Sequence, residues 1–468
     1  MIILNQINGL ADSKWSGIAG SVYKCIGLDL HTNPGVTQVQ QKLTKDSGST
    51  VTAFCKVAVA ASTGYTFWFS SSDGKIWARA SGGTWTLAYT TSAAAGTNGC
   101  SGAMEYNGYI YWATQSRLHR VTIAGADDSW AAGAVSLDWA TFSVTDADFH
   151  PMAIQDVSLF IGDGTKVCDV NSAGTFDNNL LAFMTTYRIK TMVDYDLDLL
   201  IGTYVADTVN RTEILRWDTV SSSWNTSDPI EEVGINAFIR DDNYLYVNAG
   251  RAGNLYFYNG EQLVPFKRIS GTYSSTQYGY IHPNATGNFK GVPLFGFSNG
   301  SGNPAEEGVY SFGSYSRDYP KVLDLSFPIS EAVTSGIEIG AIIVADFDIL
   351  VAWKNGSSFG VDKIDYTAKY ASAYFETTML FQNERDALKT LAEVKVLYNS
   401  LPASTGFTIS YSVNGAAYVA FTDFDDVIQN AIVAQLRVES IGSLQLKVAF
   451  DVSSNSAPIM EALALEME

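Results

Sequence analysis

A two-strand pattern recurs seven times along the middle of this 468-residue chain. Each copy is an apolar strand, then a small polar turn with Gly or Asn, then a second strand that ends in aromatic or basic residues. Short apolar runs bounded by such turn residues are typical of β-hairpins. The copies are residues 65–69 with 76–79, 109–113 with 117–121, 158–162 with 166–170, 199–203 with 213–218, 244–248 with 254–258, 293–297 with 308–312, and 349–353 with 359–362.

The spacing of these copies predicts the fold. One apolar residue in the first strand of each copy serves as its register point: Trp68, Tyr111, Leu159, Leu200, Leu245, Leu294 and Leu350. Successive points lie 43, 48, 41, 45, 49 and 56 residues apart. A blade of four antiparallel strands takes ~40–50 residues, so this period indicates a β-propeller. Radial packing buries both faces of each blade and leaves no long exposed edge. We predict an all-β fold with a propeller of seven blades, with six blades or an irregular stack of hairpins as alternatives.

The segments on either side of the repeats differ from them. Residues 1–50 are Gly-rich, and they form either the strand that closes the ring against the last blade or an arm that reaches a neighbouring subunit. After residue 366 come strands of five to eight residues, several of which alternate apolar and polar side chains. Such alternation is typical of a sheet with one buried face. We therefore predict a propeller over residues 51–366 and a C-terminal β-sandwich over 367–468, in which residues 427–437 form a short helix.

Composition narrows the classes of partner. The chain carries 29 Lys and Arg against 48 Asp and Glu, a formal charge of −19, and 13% of its residues are aromatic. It is too apolar to be disordered, and the acidic balance argues against nucleic-acid binding, which needs clustered cations. The most apolar long stretch, residues 337–353, includes Glu338, Asp346 and Asp348, so we expect no membrane span. The first residues include no basic segment, so we expect no secretory signal.

The cysteines do not form a recognisable motif. They are far apart in the sequence and include no Cys-x-x-Cys pair, so neither a zinc knuckle nor a redox pair is supported. Free cysteine often serves as a small core residue, and we expect that role here. The four are Cys25, Cys55, Cys100 and Cys168.

Closely spaced carboxylates occur in several places but do not define a site. Glycoside hydrolysis needs two carboxyl groups ~5–9.5 Å apart across a cleft, usually from distant segments. The run from Asp194 to Asp198 resembles a calcium loop but lacks its turn Gly and its bidentate Glu. The segment from Ser71 to Trp77 resembles a sialidase Asp box but is one residue short. We interpret these carboxylates as solvated loop residues: Asp146 with Asp148, Asp194 with Asp196 and Asp198, Glu231 with Glu232, Asp241 with Asp242, and Asp423 with Asp425 and Asp426.

Histidines and nucleophiles are equally uninformative. The four histidines, His31, His119, His150 and His282, have no metal-ligand spacing, although spacing alone leaves a Ser-His-Asp triad open. No Gly-x-Ser-x-Gly, Gly-x-Gly-x-x-Gly or Walker sequence occurs. We therefore assign no catalytic, cofactor-binding or metal-binding residue, and expect a protein that is not an enzyme and has no cofactor. A glycosidase is the enzymatic alternative.

The predicted architecture is a propeller followed by a short β-sandwich, in an acidic chain rich in Ser, Thr, Ala and Gly. This combination resembles structural proteins of tailed-bacteriophage virions. More narrowly, it resembles the propeller-bearing proteins that form the nozzle or distal tail. The segments behind this resemblance are residues 9–14, 27–31 and 373–468; the last opens with Phe375-Glu376-Thr377 and closes near Pro458-Ile459.

The resemblance implies an assembly role in the virion. It implies a homo-oligomer around the tail axis that contacts other tail proteins, with no catalytic residues and no sequence-specific nucleic-acid binding. An acidic chain also suits a channel that DNA passes, because like charges repel phosphate. The alternative is a carbohydrate-binding or glycan-degrading propeller that recognises a host surface. An intracellular WD40-type scaffold is disfavoured, because Trp217-Asp218 is a lone occurrence of its signature.

Overall fold

The computed structural model describes most of the chain between residues 2 and 467. The ranges outside this description are 5–6, 16–19, 34, 92–98, 145–147, 184–185, 206–209, 242–243, 270, 272, 274–277, 300–306, 315–320, 332–335, 346, 381–388, 422–423 and 429–430. Regular structure in the described part is almost entirely β-strand, with a 3-10 helix at Ile123–Gly125.

Seven antiparallel blades of four strands form a β-propeller, which confirms the predicted fold class and the favoured blade number. Six blades are separate sheets, and the strands of blade 6 belong to a sheet of nine strands. Their strands are Cys55–Ala60, Thr66–Ser70, Lys75–Arg79 and Trp85–Thr90 (blade 1); Gly102–Tyr106, Tyr109–Thr114, Arg117–Thr122 and Val135–Thr141 (blade 2); Met152–Gln155, Ser158–Asp163, Lys166–Val170 and Phe176–Ala182 (blade 3); Tyr187–Tyr195, Asp198–Val205, Thr212–Trp217 and Thr226–Ile230 (blade 4); Ile235–Arg240, Leu245–Ala249, Asn254–Tyr258 and Leu263–Arg268 (blade 5); Gly279–Phe289, Val292–Asn299, Gly308–Gly313 and Val322–Phe327 (blade 6); and Ile337–Ala345, Asp348–Asn355, Ser358–Lys369 and Gln41–Lys45 (blade 7).

The repeated pattern in the sequence corresponds to the second and third strands of every blade. These strands are covered on both faces by neighbouring blades, so most of their side chains are apolar. Leu245–Ala249 and Val292–Asn299, for example, are buried at every position. The first strands of successive blades pack against one another around the centre of the ring. Outer strands such as Leu263–Arg268 are largely exposed and carry a weaker signal.

The N-terminal part of the chain closes the ring. Gln41–Lys45 is the outer strand of blade 7 and pairs antiparallel with Ser358–Lys369, with Leu43 opposite Ile364. Leu43 is buried. Of the two roles considered for residues 1–50, ring closure is the one observed for this strand. Three strands of blade 7 come from the C-terminal end of the propeller sequence and the fourth from its N-terminal end, so backbone hydrogen bonds between them close the ring.

A β-sandwich is attached to blade 6. One of its sheets continues the blade: after Val322–Phe327 come Val22–Ile26, Tyr374–Thr377, Leu444–Asp451, Gly406–Val413 and Val419–Ala420. The facing sheet contains Leu28–Asp29, Thr37–Val39, Ile459–Met467, Lys389–Ser400, Ala431–Ile441 and Phe424–Ile428, and Ile2–Leu4 pairs with Ile459–Met467. N-terminal and C-terminal strands thus share both sheets. Their core is continuous with that of blades 6 and 7.

The predicted helix at residues 427–437 is wrong. Ala431–Ile441 is a strand that pairs with Lys389–Ser400, and Phe424–Ile428 lies beside it. The β-branched residues of this stretch suit a sheet, and backbone pairing with a neighbouring strand outweighs a helical spacing of apolar residues. Among the described residues, no helix is long and apolar enough to cross a membrane. All four cysteines are buried and free, as expected.

Candidate functional site

The first strands of the blades begin at one face of the propeller, and a cavity of about 340 Å³ opens there. We call it the central cavity. Its wall is built from single residues of several blades, together with the loops that precede the first strands. Its lining includes Lys56, Asp148, Phe149, Lys190, Tyr204, Asn236, Arg251, Tyr278, Tyr280 and His282.

Three cations converge on the central cavity. Lys190 comes from blade 4, Lys56 from blade 1, and Arg251 from the turn between the second and third strands of blade 5. Lys190 lies deep in the protein but remains partly accessible from the cavity. Burial, followed by the charges of Arg251 and Lys56, lowers the pKa of Lys190 to about 8. The Lys190 ammonium donates to Oδ1 of Asn236 at 2.7 Å, a neutral acceptor that cannot offset its charge.

A polar network fixes the groups around Lys190. Nδ2 of Asn236 donates to Oδ1 of Asn248 at 2.9 Å and to the carbonyl of Gly250 at 2.8 Å, so its Oδ1 faces the lysine. The backbone N–H of Ile281 in blade 6 donates to the same Asn248 oxygen at 3.0 Å. The network therefore joins blades 5 and 6 and orients the amide that positions Lys190.

His282 contributes no positive charge to this site. It is buried beside the lysines, and burial, followed by the charges of Lys56 and Lys190, lowers its pKa well below the ordinary value. The ring is therefore neutral at pH 7. Its Nδ1 accepts from the backbone N–H of Asn284 at 3.4 Å, which makes it a wall residue of fixed orientation.

Aromatic rings form much of the remaining wall. The rings of Tyr278 and Tyr280 stack with centroids 5.8 Å apart, and the Lys190 ammonium lies 5.3 Å from the centroid of Phe149. Burial, followed by the negative charge of Asp148, raises the pKa of Tyr204 to about 12. Asp148 is exposed at the mouth. The cations of this concave site suit the binding of an anion, and the aromatic rings give the wall the apolar surface that is usual in ligand sites.

A second cavity, of about 280 Å³, lies where the N-terminal segment meets blades 6 and 7. His31 is buried there. Its Nε2 lies 2.8 Å from Oδ1 of Asp324 and 2.7 Å from Oγ of Ser311, and its Nδ1 lies 3.1 Å from the carbonyl of Gly313. A catalytic triad needs the carboxylate and the hydroxyl on opposite ring nitrogens. Because both contact Nε2 here, this group acts as a clamp between the N-terminal segment and blade 6.

The opposite face of the propeller carries exposed apolar side chains. In the described part of the chain, the turns between first and second strands project there, and so do those that join consecutive third and fourth strands, because neighbouring strands are antiparallel. Leu197 is 85% exposed, Val220 89% and Phe347 77%. The exposed apolar residues at these turns define what we call the hairpin-tip face: Val157, Leu197, Val220, Tyr244 and Phe347.

The carboxylates considered from sequence fall mainly on hairpin ends rather than in one cleft. Asp194 pairs with Arg240 at 2.8 Å, and Asp196 lies at a turn with φ 54°, so this run is a hairpin and not a calcium loop. Glu232 accepts from Asn254 at 2.7 Å. Among the described residues, no three His, Cys, Asp or Glu side chains are grouped to hold a metal ion. Asp146, Asp242 and Asp423, and the side chains of Asp425 and Asp426, lie outside the described residues.

Sequence analysis did not find the cations of the central cavity. Lys56, Lys190 and Arg251 come from three blades and belong to no motif. The one available signal was the position of Lys190 among apolar residues of a first strand. From the sequence alone, a lysine in this position cannot be distinguished from one that faces solvent, because the arrangement of the blades around the propeller centre decides which way it faces.

No protein-family model matches the sequence, and no curated protein does. Solved structures with a similar fold include U3-55K, with 8% identity and a TM-score of 0.47 over 69% of this chain and 98% of that one. Streptogramin B lyase has 9% identity and a TM-score of 0.46 over 70% and 98%. The extracellular domain of a one-component system from B. thetaiotaomicron has 12% identity and a TM-score of 0.45 over 75% of this chain, which spans 43% of that chain's length.

Proposed function

We propose that this protein is a non-enzymatic structural component of a tailed-phage virion that assembles as a ring in the tail. The observation that most supports an assembly role is the hairpin-tip face. Single exposed apolar residues are normal on a soluble protein, whereas several on one face are typical of a surface that contacts another protein. The contacts use propeller loops and terminal segments, and the partners are further copies of this chain and neighbouring tail proteins.

The turn at Phe347 is part of the hairpin-tip face. Phe347 has φ 70°, in the left-handed region, although its ring is exposed and contributes nothing to the core. A residue with a Cβ costs roughly 1–2 kcal/mol in that conformation. The equivalent turns at Asp196 and Lys290 also have positive φ, so this backbone belongs to the hairpin, and Phe347 differs from them in its exposed aromatic ring. The hydroxyl of Tyr366 donates to the carbonyl of Phe347 at 2.5 Å and helps to hold this geometry.

The position of the sandwich suits a ring. It extends from blade 6, whereas the hairpin-tip face belongs to blades 3, 4, 5 and 7, so one copy offers two different surfaces. A contact between unlike surfaces of neighbouring copies is heterologous, and heterologous contacts close into rings when the rotation allows it. The proposal therefore places the hairpin tips of one copy against a different surface of the next.

The first test is the native mass of the purified chain by light scattering across a range of concentrations, with negative-stain images. A ring or a defined ladder of oligomers is the expected result. A species that stays near the chain mass of 50.7 kDa at every concentration would contradict self-assembly and favour the second candidate below.

A matched pair of variants links assembly to the hairpin tips. Phe347→Gly removes an exposed ring and relieves backbone strain, so it weakens assembly while the monomer stays at least as stable. Lys290→Gly is the control, because Lys290 has φ 53° at the equivalent turn of blade 6 but no apolar group at the tip. Equal assembly by both variants and the wild type would exclude this turn from the interface.

A second candidate function is carbohydrate binding at a host surface. The aromatic wall of the central cavity favours it, because the stacked Tyr278 and Tyr280 offer flat apolar faces of the kind on which sugar rings pack. A glycan array with the wild type and with Tyr278→Ala tests it. Glycans that bind the wild type but not Tyr278→Ala would support this candidate. An array on which the wild type binds no glycan would exclude it.

A further inference from the structure

The central cavity carries the opposite charge to the rest of the protein. The chain has a formal charge of −19, yet three of the four charged side chains that line the cavity in the described part of the chain are cations: Lys56, Lys190 and Arg251 against Asp148. The charges of Arg251 and Lys56 both help to lower the pKa of Lys190, so both cations lie within electrostatic reach of this lysine. Such a grouping of like charges opposes folding unless something compensates it.

Protein groups do not supply that compensation at Lys190. Its one hydrogen-bond acceptor in the described part of the chain is the neutral amide of Asn236, and the charges that shift its pKa are both positive. His282 beside it is held neutral. A buried ammonium normally has a carboxylate partner. This lysine instead faces a cavity large enough for a small molecule.

We propose that the central cavity binds a small ligand through a dianionic tetrahedral oxyanion, a phosphate or phosphate ester, held by Lys56, Lys190 and Arg251. Among the described lining residues, cations outnumber the single carboxylate at the mouth, which favours an oxyanion with two charges over a single carboxylate. Lysine and arginine both bind phosphate oxygens by charge-assisted hydrogen bonds. The ring of Tyr280 lies against the body of an esterified ligand. This site is independent of the assembly function proposed above.

Proton uptake distinguishes this site from loose surface binding. Burial and the neighbouring cations lower the pKa of Lys190 to about 8, so a fraction of the molecules carries a neutral amine there at pH 8. A bound dianion favours the ammonium and raises that pKa. Binding at pH 8 is therefore accompanied by the uptake of a fraction of a proton per ligand. Sulfate is the best probe, because it is a tetrahedral dianion that does not itself titrate at this pH.

The experiment is isothermal titration calorimetry of the full chain at pH 8 with sulfate and inorganic phosphate, in two buffers of different ionisation enthalpy. We expect one site per chain and proton uptake with sulfate. Lys190→Met abolishes the uptake and weakens binding at least about tenfold, the usual effect of losing a hydrogen bond to a charged group. Arg251→Gln, at an exposed position, weakens binding and keeps the uptake. Lys42→Met, an exposed lysine of blade 7, is the control and changes neither.

Several results would overturn the proposal. They are the absence of binding up to about 10 mM of either anion, proton uptake that persists in Lys190→Met, or equal weakening in Lys42→Met. Because Lys190→Met also removes the partner of Asn236, Arg251→Gln keeps the test decisive if the first variant folds poorly. A titration with a sugar phosphate then separates the two sources: tighter binding than inorganic phosphate indicates an ester, and equal binding indicates the free ion.

Discussion

At the scale of single residues, the buried contact between His31 and Asp324 links chain positions 293 residues apart. Burial disfavours the charged imidazole, but the charge of Asp324 and its hydrogen bond outweigh burial and raise the pKa of His31. A raised folded-state pKa stabilises the protein fully below the unfolded value of about 6.5, and the benefit is lost as the pH rises through the folded value. The clamp on the N-terminal segment is therefore strongest in mildly acidic solution.

We predict that His31→Gln removes this pH-dependent part of the stability. The wild type should be most stable relative to the variant below pH 6.5, and the difference should shrink as the pH rises. Urea denaturation of both proteins over a pH series measures it. A difference that stays constant or grows with pH would show that His31 contributes only as a neutral hydrogen-bonding group.

At the scale of strands, the fold was predictable for strands that are buried on both faces. Second and third blade strands are apolar on both faces, which made copies such as residues 244–248 visible. The N-terminal strands of the sandwich were not predictable, because Leu28–Asp29 and Thr37–Val39 are too short to show a pattern. The helix predicted over residues 427–437 is wrong, because the spacing of apolar residues fits a helix but this segment pairs with the strand Lys389–Ser400 in the folded protein. The central cavity was not predicted, because its lining residues come from several blades and loops and form no pattern in the sequence.

The closing strand of blade 7 gives a prediction at this scale. Leu43→Ala should lower the free energy of unfolding by about 2–4 kcal/mol, because it leaves a cavity where the strand is buried against its blade. Lys42→Ala on the same strand is the control: its side chain is 40% exposed and pairs with Asp365 at 3.7 Å, so it should cost under about 1 kcal/mol. Similar losses of unfolding free energy in both variants would mean that this strand stabilises blade 7 through backbone pairing alone.

At the scale of the whole molecule, the propeller and the sandwich share structure instead of sitting side by side. The sheet that begins in blade 6 continues into the sandwich, and one hydrophobic core includes Leu294 of the blade and Leu446 of the sandwich. The chain also crosses between them near its start, from Thr37–Val39 in the sandwich to Gln41–Lys45 in blade 7. Unfolding the sandwich would therefore expose the core of blade 6 and detach the strand that closes the ring.

We predict that the two parts unfold as one cooperative unit, and the distribution of tryptophan makes this measurable. Nine of the ten tryptophans lie between Trp68 and Trp353 in the propeller, and the tenth is the exposed Trp15 of the N-terminal segment. Tryptophan fluorescence therefore reports mainly on the propeller, whereas far-UV circular dichroism reports on all strands. Leu446→Ala, a buried change in the sandwich, should lower the denaturation midpoint equally by both probes. Leu159→Ala, a buried change in blade 3 of the propeller, should also lower the denaturation midpoint equally by both probes. A fluorescence midpoint that Leu446→Ala leaves unchanged would show that the propeller stands without the sandwich, and the shared sheet would then be a contact between separate folding units.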